Sequence, residues 1–172
     1  MKTIQELQAD IVDEFSVFTD WMDKYEYLIE LGKGMPLIDE KDKTDDHLIR
    51  GCQSRVWLSC RKGEDGRLHF AADSDAIITK GIISLLIRVY DGQTPDDILA
   101  ADEAFLEQIG LKENLSPTRA NGLVSMIQTI KNYAAKDVKL IGHMTKPELG
   151  RHLVTKSGQE VELKAQGWTS NL

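Results

Sequence analysis

Cysteine is scarce in this sequence: 172 residues contain two, Cys52 and Cys60. Two thiols cannot alone supply the four-thiolate sites of structural zinc or of an iron–sulfur cluster. Aromatic residues make up 6% and prolines number four. Long apolar runs are missing, so no membrane span is expected. The first residues, Met1-Lys2-Thr3-Ile4-Gln5-Glu6, lack the apolar core of a secretory signal and carry an acid early. A cytoplasmic, thiol-reducing location is the expectation. Positive charge is also short. Lys and Arg number 21 against 28 Asp and Glu, a net charge of −7, which leaves no basic footprint for nucleic acid. There is no P-loop, no dinucleotide fingerprint and no zinc-protease helix motif.

Hydrophobic residues at 41% and charged residues at 28% describe an ordinary globular chain. A domain of this size buries roughly 70% of its unfolded surface, so it needs neither disulfide nor metal to fold. Charge is unevenly placed. Residues 1–47 hold 13 acids and 5 bases, residues 48–136 hold 11 of each, and residues 137–172 hold 4 acids and 5 bases. The acidic first third reads as a solvated helical face, with a docking face for a basic partner as the alternative.

Thr3 and Glu6 have capping-box spacing. Ile4, Leu7, Ile11, Phe15 and Phe18 follow at helical spacing, predicting a helix over 4–18. Thr19 is placed to cap a second helix over 20–33 that turns Trp21, Tyr25, Leu28 and Ile29 inward. Residues 35–46 read as a loop. Three antiparallel strands are then predicted, at 47–50, 55–61 and 67–72, with Glu64-Asp65-Gly66 as a tight turn. Asp73-Ser74-Asp75 can cap a helix over 76–90, apolar almost all round and therefore buried against the sheet. Thr94-Pro95 opens a short helix, another ends at Gly110, and Ser116-Pro117 opens a last one reaching about Lys136. The expected fold is α+β, a small three-stranded antiparallel sheet packed against helices. Residues 1–136 form the expected domain. Residues 137–172 are an extension, either a hairpin across 156–159 or a flexible segment.

The chemistry concentrates at Gly51-Cys52-Gln53-Ser54. Gly51 permits a sharp turn that displays the thiol at a loop tip. Arg50 and Arg55 flank it and are expected to favour thiolate, the form that attacks sulfur electrophiles. The bland reading is a small buried hydrophobe. Cys60 shares a strand face with Val56 and Leu58 and reads as core packing. About 20 Å of strand separates the two cysteines, which excludes a disulfide between them. His47 and His69 lie on elements near Cys52, and either could serve as base in a Cys–His hydrolase or acyltransferase. No Cys/His pair has zinc-ligand spacing, so no metal site is expected. An interaction module with inert cysteines is a third reading.

Four blocks, in order, resemble the SufE family of sulfur-acceptor proteins. They are Lys24 to Gly32 (KYEYLIELG), Gly51 to Leu58 (GCQSRVWL), Asp73 to Gly81 (DSDAIITKG) and Leu115 to Arg119 (LSPTR). The resemblance covers about residues 4–136, and its most specific block is Gly-Cys-Gln-Ser-x-Val-Trp. It implies a fold similar to the IscU scaffold. It implies that Cys52 accepts sulfane sulfur from a pyridoxal-phosphate-dependent cysteine desulfurase of the SufS or CsdA type. The chain would stimulate that enzyme and pass the sulfur toward iron–sulfur cluster assembly, with a SufBCD-type scaffold as recipient. The chain would need no cofactor of its own. Asp75, Lys80 and Arg119 match motif positions and read as a helix cap, a solvated charge and half of an ion pair. A persulfide carrier also benefits from a thiol that tucks away at rest. Trp57, the helix over 76–90 and the Leu123–Met126 region are the expected shelter, and Gly51 the joint.

Overall fold

The computed structural model describes residues 1–136, 152–154 and 160–162. Helix α1 spans Ile4–Ser16 and starts on the predicted capping box: the Thr3 hydroxyl accepts the Glu6 N–H, and the Glu6 carboxylate accepts the Thr3 N–H. Such a cap is worth about 1 kcal/mol. Helix α2 spans Trp21–Lys33. Its cap is Asp20, whose carboxylate accepts the N–H groups of Met22 and Asp23, rather than Thr19. An acceptor carboxylate at the positive end of the helix has the stronger interaction.

Strands β1 (Val56–Lys62) and β2 (Leu68–Ser74) pair antiparallel, Val56 opposite Ser74 and Lys62 opposite Leu68. The third predicted strand is not formed. A 3-10 turn at Asp45–His47 runs to its threshold, and Gly51 turns the chain away three residues later. Only a single bridge, Leu48 to Trp57, is left between them. The sheet over 56–74 therefore has two strands, but the α+β fold class stands.

Helix α3, Ile77–Tyr90, is the centre of the core: Ile78, Ile82, Ile83, Leu85, Leu86 and Val89 are all buried. It packs against α2 on one side and β2 on the other. The α2–α3 crossing is close because two glycines meet there. A side chain at Gly81 would strike the Leu28 carbonyl, and one at Gly32 would come within 2.9 Å of the Gly81 nitrogen. Helices α4 (Pro95–Ala100), α5 (Ala104–Gln108) and α6 (Leu111–Asn114) lead to α7, Pro117–Lys136, which closes the core through Leu123, Met126, Ile130 and Ala134.

Side-chain bonds tie α1 to its neighbours. The Arg88 guanidinium grips both oxygens of Glu14, and the Tyr27 hydroxyl donates to the same carboxylate at 2.8 Å. Arg88 holds the Glu14 carboxyl below the usual carboxylate range. Beyond α7, strands β3 (His152–Val154) and β4 (Glu160–Glu162) pair antiparallel. The residues between them, where the hairpin turn is predicted, lie outside the described residues. Among the described residues no helix is long and apolar enough to cross a membrane.

Candidate functional site

The loop from Arg50 to Arg55 is pinched at its base. The Ile49 N–H donates to the Val56 carbonyl at 2.8 Å. On the C-terminal side, Arg55 is clamped through its backbone. Its N–H donates to the Asp75 carboxylate at 3.0 Å, and its carbonyl accepts the Asp75 N–H at 3.2 Å and the Ser74 hydroxyl at 2.8 Å. Gly51 sits at φ +92°, a conformation L side chains resist. Its place against α7 is tight as well, since a Cβ there would lie 2.6 Å from the Ser125 hydroxyl oxygen.

This turn does not hold Cys52 out in solvent. The thiol is half-buried and lies against α7, with Sγ 3.7 Å from the Gly122 carbonyl oxygen, a weak S–H donor contact. Gly122 makes the approach possible, since a Cβ there would sit 3.3 Å from Sγ. Beside the thiol opens a cleft of about 360 Å³, whose wall includes Ser54, Thr79, Ile82, Arg119, Gly122 and Met126. The Ser54 hydroxyl donates to Thr79 at 3.0 Å and ties the loop to α3. Of the expected shelter, α3 and Met126 are in the wall. Trp57 is not; its ring lies beneath the Lys43 ammonium, 5.7 Å from the centroid. Gly122 was not singled out from the sequence, because a glycine inside a helical pattern carries no signal of what approaches it.

Burial pushes the Cys52 thiol above its ordinary value. The expected activation by Arg50 and Arg55 is absent at rest: both side chains are exposed while the thiol turns inward. Neither candidate base lines the cleft. His47 Nδ1 lies 2.6 Å from the Asp42 carbonyl oxygen, and His69 faces Asp91 at 3.7 Å near the far end of the sheet. No group of three or more His, Cys, Asp or Glu side chains fit to hold a metal ion occurs among the described residues. Cys60 is half-buried and packs against the core, and neither cysteine is in a disulfide.

The three other motif residues take different places. Asp75 does not cap α3; its carboxylate fixes the foot of the loop. Lys80 is not a solvated charge. It joins Lys43 on Asp73, at 3.1 and 2.7 Å. Arg119 borders the cleft, and among the described residues no carboxylate pairs with it.

Known proteins share the family pattern and the fold of this chain. The profile of the SufE family, described as an Fe-S metabolism associated domain, matches residues 9–134. Uncharacterized SufE-like proteins of Rhizobium etli and Rhizobium meliloti are each 39% identical over 128 residues, covering 72% of this chain and 86% and 91% of theirs. The solution structure of a hypothetical protein from Thermus thermophilus has the same fold. Its TM-score is 0.63 at 18% identity, over 76% of this chain and 94% of that one.

Proposed function

The chain belongs to the SufE family and acts in iron–sulfur metabolism, and from that premise we propose that Cys52 is a sulfur acceptor for a pyridoxal-phosphate-dependent cysteine desulfurase. The observation that carries this reading is the loop. It presents one cysteine beside an open cleft with no histidine in its wall among the described residues. A hydrolase nucleophile needs a base within hydrogen-bond reach. A sulfur acceptor needs only to reach a partner's persulfide as thiolate.

The step is a thiol–persulfide exchange. The Cys52 thiolate attacks the outer sulfur of the desulfurase persulfide. A new sulfur–sulfur bond forms on Cys52, and the bond between the partner's two sulfurs breaks. The partner's cysteine leaves as thiolate and takes up the proton that Cys52 gave up. The transferred sulfur keeps its oxidation state, so no external oxidant or reductant enters. The pyridoxal phosphate stays on the partner. A second exchange hands the sulfur to a cluster scaffold of the SufBCD type and regenerates the thiol.

The test is mass spectrometry after incubation with a SufS-type desulfurase and free cysteine. A gain of about 32 Da on Cys52 is expected. No gain, or a gain on Cys60 alone, refutes the assignment.

A further inference from the structure

Among the described residues, the side chains of the two arginines that bracket Cys52 have no partner in the fold. Both are exposed. Among the described residues no carboxylate pairs with either guanidinium, although Lys43, Arg67, Lys80, Arg88, Lys112 and Lys131 all have acidic partners. Nor do they act on the resting thiol, whose displacement comes from burial alone. Arg55 is held only by its backbone, which leaves its side chain outside the clamp. Arg50 borders a second groove on the same face, together with Val124 and Ser125.

Exposed aliphatic side chains accompany them. Val124 is 60% exposed in that groove, and Ile77, next to Ala76 of the Cys52 cleft, is 68% exposed. Unpaired arginines mixed with aliphatics have the composition of a protein interface, where arginine is enriched and its planar fork takes carboxylates two oxygens at a time. Acids on this face are Asp45 and Asp46 in the groove and Asp75 in the cleft. The Asp75 carboxylate already accepts the Arg55 N–H.

We infer that Arg50 and Arg55 dock carboxylates that surround the reactive sulfur on a partner protein, and so seat the Cys52 loop in the partner's mouth. This rests on the reading of Cys52 as a sulfur acceptor. A chain of net charge −7 repels an acidic surface at long range, so encounter with one depends on a local cationic rim. Rim charges act chiefly on the association rate and its salt dependence. A partner with a basic mouth is rejected by the same two residues.

Arg61 provides an internal control. It is exposed, lacks a carboxylate partner among the described residues, and sits toward the far end of β1, opposite His69. The experiment measures persulfide loading of Cys52 by a purified SufS-type desulfurase from the same organism, as a function of acceptor concentration and salt. R50E, R55E and R61E change net charge equally. R50E and R55E should each raise KM about fivefold, keep kcat at saturation, and flatten the salt dependence. R61E should match the wild type. R50K and R55K should restore the salt dependence but only part of the KM, because lysine keeps the charge and lacks the fork. The iodoacetamide rate of free Cys52 should be the same in all, showing an undisturbed loop. The neutral R50Q and R55Q replace any reversal that folds poorly. If R50E and R55E match R61E, or lower kcat with KM unchanged, the docking role is wrong while the acceptor role stands. If the wild type itself gains no sulfur, both readings fall.

Discussion

Replacing Gly122 by alanine should loosen the Cys52 loop without weakening the fold. The added Cβ would lie 3.3 Å from Cys52 Sγ, 3.7 Å from its Cα and 3.8 Å from its Cβ. The first contact is too short to be relaxed, and α7 cannot yield because Leu123 and Met126 anchor it in the core. The loop must give instead. Crowding of one methyl group costs about 1 kcal/mol at the low end of the overpacking range. Placed on the tucked state alone, that shifts its balance with an open state by about fivefold. The helix itself gains, since alanine is better than glycine in a helix interior by about 1 kcal/mol. Cys52 should therefore react about fivefold faster with a bulky thiol reagent at fixed pH, while the melting temperature holds or rises. Valine should act more strongly on the loop. The assay is pseudo-first-order labelling of the C60S background, followed beside a thermal melt. Unchanged or slower labelling in a folded G122A protein would show that α7 does not hold the thiol.

C52S should abolish sulfur acceptance with little loss of stability, whereas C60S should keep acceptance and lose some stability, because a hydroxyl packs less favourably than a thiol against the core; loading and denaturant melts on the two variants decide. A chain ending at Lys136 should unfold cooperatively and still stimulate a desulfurase, and a broad, non-cooperative melt would place the extension in the core. The labelling rate of Cys52 should rise with pH to a midpoint above the ordinary thiol value, because burial raises it. By the same linkage, its contribution to stability is full below the unfolded thiol value and is lost as pH rises through the higher folded one, so C52S should flatten the alkaline side of a stability–pH curve. E14Q should cost about 1 kcal/mol after discount for its partial exposure. The Glu14 carboxyl is held low by Arg88, so its contribution is present above the unfolded carboxylate value and fades as pH falls through the folded one. Equal acid-limb slopes for E14Q and wild type would contradict this.

The helices were legible because their signals are local. The Thr3–Glu6 box, the inward face of 21–29, the all-round apolar run of α3 and the Ser-Pro start of α7 each act within a few residues. The missing strand was misread for the same reason. His47 to Arg50 has strand composition, yet one tertiary bridge and a turn on each side decide its state. The cleft was half legible. Cys52 stood out beside a glycine, and the Gly-Cys-Gln-Ser block was distinctive. Gly122 lies 70 residues from Cys52, and Asp75 reaches Arg55 across 20. Contacts at that separation leave no periodic trace in one sequence. The flanking arginines misled because proximity along the chain is not proximity of charge: a turn that points the thiol inward leaves its neighbours pointing out.

That division of directions gives the loop two separable properties. A thiol kept neutral against α7 is a weak nucleophile, since only thiolate attacks sulfur. On the proposed acceptor role, the same placement limits loss of a bound sulfur to small thiols. Both effects come from burial, so the resting chain cannot gain reactivity without giving up protection. The tie between them is broken only if exposure occurs on the partner, where the loop leaves one shelter for another. Differential contacts with the partner must then supply the free energy of opening. The groups free to make such contacts are those that the fold leaves unused on the loop's outer side. On this reading the inward residues Gly51 and Gly122 set how firmly the loop is held, and the outward arginines set which surface can release it. Substitutions at the glycines should therefore change reactivity in the free protein, and substitutions at the arginines only in the complex.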